Sequence, residues 1–168
     1  MERRKSYGIL ALRETWEVRE ATRKTMQANR GKDTKPELTL RRALWAAGLR
    51  GYRKNVRKLP GTPDIVFGPA RLAIFVHGCY WHSCPTCTRN RTPKTNAAYW
   101  QAKFAGNQER DARNQAKLSE MGWRVLVVWE CELKPAGLPA LIEQIRRALT
   151  PASGSFQDAC YSSSGTSA

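Results

Sequence analysis

The chain has 168 residues, enough for one domain with a real core and too few to expect two. Lys and Arg number 29 against 14 Asp and Glu, and this formal charge of +15, with six Trp, favours a polyanionic partner, nucleic acid first. The one apolar run near the N-terminus, GILAL, is shorter than the core of a secretory leader, and no stretch approaches the ~20 apolar residues of a membrane span, so a cytoplasmic protein is expected.

Residues 1–31 are polar and Arg-rich, with enough helix formers in RETWEVREATRKTMQAN for a helix ended by Gly31. They read as a basic arm or as a solvated surface helix. Thr34-Lys35-Pro36-Glu37 then predicts a capping box, with Pro in the first turn, opening the helical run LTLRRALWAAG. Glu37 has a complete structural explanation as the capping acid. GYRKNVRKLPG, basic with alternating Tyr52 and Val56, predicts an edge strand whose cations could face phosphate.

Chemistry is densest between Pro60 and Cys87. DIVF and LAIFV are short apolar runs joined by the turn residues Gly68 and Pro69, which predicts a hairpin. Pairing would put Asp64, at the start of one strand, beside Val76 and His77 at the end of the other. A carboxylate next to a backbone carbonyl and an imidazole suits a hard divalent cation and phosphodiester hydrolysis. The bland alternative is that Asp64 only caps the turn after Pro63. Cys79, Cys84 and Cys87 follow at spacings that let thiolates converge on one zinc ion, and in a reducing compartment this reads as a metal cluster rather than a disulfide framework. Two residues compete as fourth ligand, Cys131 and His82. Tyr80 and Trp81, between the cysteine and the histidine, either pack on the zinc loop or insert between base pairs.

Beyond the cysteines, TRNRTPKTN is a basic loop, and Asn96 is expected to cap a long helix running to Gly122, with Tyr99, Trp100 and Lys103 near its start. WRVLVVWEC is apolar at consecutive positions, predicting a central strand buried on both faces. LPALIEQIRRAL is a last amphipathic helix, and residues 151–168, rich in Ser, Gly and Ala, are expected to form a disordered tail that leaves Cys160 unused. The expected organisation is an arm (1–31), a catalytic domain (32–150) and a tail (151–168).

PGTPDIVF, FVHGCYWH and WRVLVVWEC, in that order, resemble the very short patch repair (Vsr) endonucleases, from about Thr25 to Leu133. Two departures are local. Val76 stands where the family commonly has Thr, and Cys84 and Cys87 stand where its loop ligands often include His. The resemblance implies a restriction-endonuclease-like α/β fold, three layers with a central mixed β-sheet flanked by helices, and a structural zinc site. It implies catalytic roles for Asp64, His77 and His82, and for Glu37, which matches an acidic active-site position on the first core helix. Asp64 and the Val76 backbone carbonyl would hold Mg²⁺, while Cys79, Cys84, Cys87 and Cys131 would hold Zn²⁺, which decides the fourth ligand for Cys131. The arm would lie along the duplex with Met26 as an apolar tip, and Tyr80 and Trp81, supported by Trp100, would form the wedge. The implied reaction is a nick 5′ to the thymine of a T:G mismatch left by 5-methylcytosine deamination. Double-stranded DNA is then the partner, with mismatch repair proteins as further candidates and a monomer suited to a single nick. Which histidine is the base stays open. Two rivals compete: a sequence-specific restriction-type endonuclease, and a non-catalytic zinc-stabilised DNA-binding module.

Overall fold

The structure, a computed structural model, describes residues 32–87 and 96–150. The expected arm with Met26, most of the basic loop and the tail lie outside these residues.

Helix α1 (Lys35–Ala46) begins where its capping sequence predicts, with Thr34 at the N-cap and Pro36 in the first turn. Glu37 accepts from the Thr34 amide at 3.3 Å and from its hydroxyl at 2.6 Å. The helix stops at Gly48, whose φ of 75° lets the Gly48 and Leu49 amides turn back to the carbonyls of Trp45 and Leu44. Helix α2 (Ala97–Glu120) ends in the same way at Gly122. Its start differs from expectation: Asn96 occupies the N-cap position with a left-handed backbone, φ 56°, and its side chain does not cap. A capping side chain needs the extended backbone that Asn96 lacks.

Four strands, β1 (Arg53–Lys54), β2 (Ile65–Phe67), β3 (Leu72–His77) and β4 (Arg124–Trp129), form one sheet in the order β1-β2-β3-β4. The first two pairings are antiparallel and β3–β4 is parallel, so the sheet is mixed. β1 is the short basic edge that the sequence predicts, and the β2–β3 hairpin turns through Gly68 and Arg71, joined by a 3.0 Å hydrogen bond. The parity of each strand sorts its side chains into two clusters. Ile65, Phe67, Leu72, Ile74 and Val128 pack with Leu40 and Leu44 of α1 and with Leu141 and Ile145 of α3 (Leu138–Leu149). Val66, Ala73 and Phe75 pack with Leu118 of α2 on the other face. Helices therefore cover both faces, giving three layers, and each fully buried Leu or Ile contributes ~1.5–3 kcal/mol relative to exposure.

β4 departs from its expected central position. Among the described residues it is an edge of the sheet, with Arg124 exposed and Val128 its one fully buried residue. Leu126 and Val125 reach opposite helical layers, so both faces are apolar, but a strand neighbour lies on one side only. An unbroken apolar run reports cover on the faces and is silent about the edges.

Candidate active site

The site forms where β2 begins and β3 ends. The Leu59–Thr62 turn, closed by a 3.1 Å hydrogen bond, feeds the chain into β2 at Asp64. Gly61 is required there: its φ is +74°, and a Cβ would lie 3.0 Å from the Asn114 side chain on α2. Pairing of Ile65 with Ile74 brings Asp64 level with the end of β3, where its Oδ2 accepts from the Val76 amide at 2.7 Å. Burial pushes its carboxyl up to about 6, although the Val76 hydrogen bond opposes this and the nearby Glu37 charge adds to it.

Parity turns His77 to the α2 face, the same face as Phe75. After it the chain folds back, with the His82 amide donating to Gly78 at 3.2 Å and the Cys84 amide to Cys79 at 3.0 Å. This reversal stacks the His82 ring on that of His77, centroids 4.0 Å apart and planes within 16°. Trp129 closes on His77 edge-to-face at 5.4 Å. Burial, then the charge His82 would carry, hold His77 down at about 4 despite nearby Asp111, so its imidazole is neutral at physiological pH.

Asp111 is a site residue that the sequence reading did not include. Its Oδ2 lies 2.5 Å from His82 Nδ1 and 4.0 Å from His77 Nε2. A carboxylate facing Nδ1 favours a proton on that nitrogen, and in the neutral ring this leaves the lone pair on Nε2, the tautomer a general base needs. One signal could have found it. Phe104 and Leu118, the buried residues of α2, lie seven positions either side of 111, so Asp111 is a carboxylate on the inward face of an otherwise solvated helix. His77, His82 and Asp111 offer three metal-ligand atoms within 4.8 Å. The stacking speaks against joint coordination, because imidazole lone pairs lie in the ring planes and two nearly parallel planes do not share one ion.

Asp64, His77, His82, Asp111 and Glu37 line one cleft of about 1050 Å³. Cations also line it: Lys32, Lys54, Arg57, Lys103 and Arg110. Acidic and imidazole groups within a basic cleft suit a phosphodiester that needs both a divalent cation and charge neutralisation. Glu37 is buried, and its carboxylate also accepts from Arg41 at 3.1 Å and from the Asp33 amide at 3.0 Å. The capping role predicted for it is thus present within the cleft.

The thiols of Cys79, Cys84, Cys87 and Cys131 lie together, all within 4.8 Å, and are not joined in disulfides. Cys84 and Cys131 sulfurs are 3.8 Å apart although 47 residues separate them. His82, the rival fourth ligand, points instead to Asp111. Burial raises the Cys79 and Cys131 thiols, whereas for Cys84 burial is outweighed by hydrogen bonds from Thr86 and Cys87, bringing it down to about 6. Four convergent sulfurs of this kind fit a tetrahedral thiolate-bound zinc.

Tyr80 and Trp81 pack on the first turns of α2. Tyr80 meets Trp100 at 5.8 Å and Phe104 at 5.3 Å, Trp81 meets Trp100 at 6.0 Å, and the Trp81 carbonyl accepts from Asn107 at 2.9 Å. Trp81 lines the cleft and all three rings keep part of their surface in solvent. No helix among the described residues is long and apolar enough to cross a membrane.

A family model described as DNA mismatch endonuclease Vsr matches residues 17–89. The type II nicking enzyme V.XorIIP of Xanthomonas oryzae pv. oryzae is 46% identical over 132 residues, covering 79% of this chain and 94% of its own length. The DNA mismatch endonuclease Vsr of Escherichia coli is 44% identical over 115 residues, 68% of this chain and 72% of its own. The type II nicking enzyme V.NmeAIP of Neisseria meningitidis is 44% identical over 103 residues, 61% and 72% of the two chains. With similarity that spans most of both chains and includes the HGCYWH segment, the chain belongs to the Vsr family of DNA mismatch endonucleases.

Proposed function

We propose that this chain nicks one strand of double-stranded DNA 5′ to the thymine of a T:G mismatch, by Mg²⁺-dependent hydrolysis that leaves a 5′-phosphate and a 3′-hydroxyl. The convergence of Asp64, His77, His82 and Asp111 at one end of the sheet, in a cleft lined by cations, carries this reading. Asp64 and the Val76 carbonyl would hold Mg²⁺, whose charge would polarise the scissile phosphate when bound. His82, kept in one tautomer by Asp111, takes a proton from the attacking water through Nε2. His77 stays neutral and donates a hydrogen bond to a phosphate oxygen. The new bond joins water oxygen to phosphorus, the bond from phosphorus to the 3′ oxygen breaks, and the 3′ oxygen takes a proton from solvent. Cationic side chains such as Lys54 and Arg57 neutralise the flanking phosphates.

The Cys79–Cys84–Cys87–Cys131 cluster would hold Zn²⁺ structurally. Four protein ligands leave no position for water, and the ion would tie the loop carrying His82 to the end of β4. Tyr80, Trp81 and Trp100 form a braced aromatic group able to unstack a base step, at a cost of a few kcal/mol that is lower where pairing is already imperfect. Mismatch preference follows from that difference. The test is cleavage of matched and T:G oligonucleotide duplexes with and without Mg²⁺. A Mg²⁺-dependent nick in the T:G duplex alone is expected. Double-strand cutting of matched duplex would favour a restriction-type enzyme, and binding with no cleavage in either duplex would reduce the protein to a DNA-binding module.

A further inference from the structure

Arg41 is one of the buried charged residues of the described chain, only 8% exposed. Its guanidinium spans two carboxylates, Asp33 at 2.7 Å and Glu37 at 3.1 Å, and its Nε donates to the Glu37 carbonyl at 3.3 Å. Both carboxylates line the active-site cleft together with Asp64, while Arg41 approaches them from the buried face of α1. Glu37 accepts from four donors: the Asp33 amide, the Thr34 amide, the Thr34 hydroxyl and Arg41. A capping box needs the Thr34 amide contact, and the Asp33 amide and Thr34 hydroxyl belong to the same turn; none of this needs a buried guanidinium, whose desolvation is costly and is offset only by close partners. The arginine therefore serves the acidic end of the cleft rather than the helix start.

We propose that Arg41 is a positioning residue that fixes Glu37 and Asp33 in one arrangement and offsets their charge, and so sets how tightly the cleft takes a divalent cation. The inference rests on the proposed cation site at Asp64. Without Arg41, Glu37 and Asp64 would lose the buried cation that offsets their charge, leaving the more exposed lysines and arginines of the cleft, and in this partly buried site opposite charge is attracted far more strongly than in open water. A divalent cation would then bind more tightly, because Glu37, still held by the Asp33 and Thr34 donors, would no longer have its charge offset by the guanidinium.

Calorimetric titration of DNA-free, zinc-loaded protein with Mn²⁺ at pH 8, beside thermal melting, tests this. Arg41→Gln is expected to melt lower than wild type yet bind Mn²⁺ about tenfold more tightly, an estimate from one unit charge removed at short range. Arg41→Lys, which keeps the charge and loses the fork, is expected to bind near wild-type strength. A merely structural role predicts weaker binding in both variants. Should Arg41→Gln not fold, Glu37→Gln with Arg41→Gln removes both buried charges, and it is expected to bind Mn²⁺ more tightly than Glu37→Gln alone. Equal or weaker binding whenever Arg41 is removed overturns the inference while leaving the proposed nuclease intact. Absence in wild type of any Mn²⁺ binding that Asp64→Asn abolishes overturns the cation site and the inference together.

Discussion

Asp64 concentrates two opposed demands, and each gives a measurable outcome. Its carboxylate is partly buried and close to Glu37, so the metal-free folded protein holds the proton up to about 6, against an ordinary 3.8. Between those values the folded state binds more protons than the unfolded chain, so the contribution of Asp64 to stability falls as pH rises through this window and is flat above it. Asp64→Asn, which cannot ionise and still accepts from Val76, is expected to melt higher than wild type at pH 8 in chelator. The gain should be on the order of 1–2 kcal/mol after discounting for partial exposure, and it should vanish near pH 4. The same variant should lose strand nicking while retaining mismatch binding, since neither the aromatic group nor the cations are touched. Residual Mg²⁺-dependent nicking in a pure preparation would remove Asp64 from the catalytic set. For the imidazoles, His77→Ala and His82→Ala should each lower the single-turnover rate by roughly a hundredfold. Asp111→Asn should lower it too, because an amide does not fix the His82 tautomer as a carboxylate does. A wild-type rate for Asp111→Asn would show that the 2.5 Å pairing with His82 is only structural.

At the scale of elements, the loop from Gly78 to Cys87 is held by two different anchors, α2 through Asn107 and Asp111, and the end of β4 through Cys131. The anchors predict separable failures. Cys131→Ser should lose bound zinc and melt markedly lower, because the free energy of binding a structural zinc is also folding free energy. His82→Ala should keep one zinc per chain, fold and lose activity. Elemental analysis of both purified variants decides the matter: full zinc in Cys131→Ser with loss in His82→Ala would return His82 to the metal cluster and take it out of catalysis.

For the molecule as a whole, the charge of +15 matters mainly through the cations it places along the cleft. Each phosphate neutralised contributes about 0.9 to the slope of log affinity against log salt. Lys54→Ala combined with Arg57→Ala, both exposed at the cleft, should therefore reduce the slope by about 2 and weaken matched and mismatched duplexes alike. A larger loss for the mismatched duplex would mean that these residues read the mismatch and do more than hold the backbone.

Much of this arrangement is local and could be read along the chain. The Thr34–Glu37 capping box, the Gly68–Pro69 hairpin with Asp64 at its open end, and the closely spaced Cys79, Cys84 and Cys87 all follow from turn chemistry, short apolar runs and spacing. What depends on partners distant in sequence was not legible. The apolar run of β4 gave no sign of its edge position, because apolar side chains report which faces are covered and not which backbone groups are paired. Asn96 failed as a cap because its backbone turns left-handed, which its identity permits and does not require. Asp111 joined the site only when the packing of α2 on the sheet brought it to His82, 29 residues earlier in the chain. Composition and motif determined the class of chemistry and most of its residues; the tertiary structure alone decided which carboxylate orients which histidine, since that pairing arises from a helix laid across a sheet and no local sequence rule encodes it.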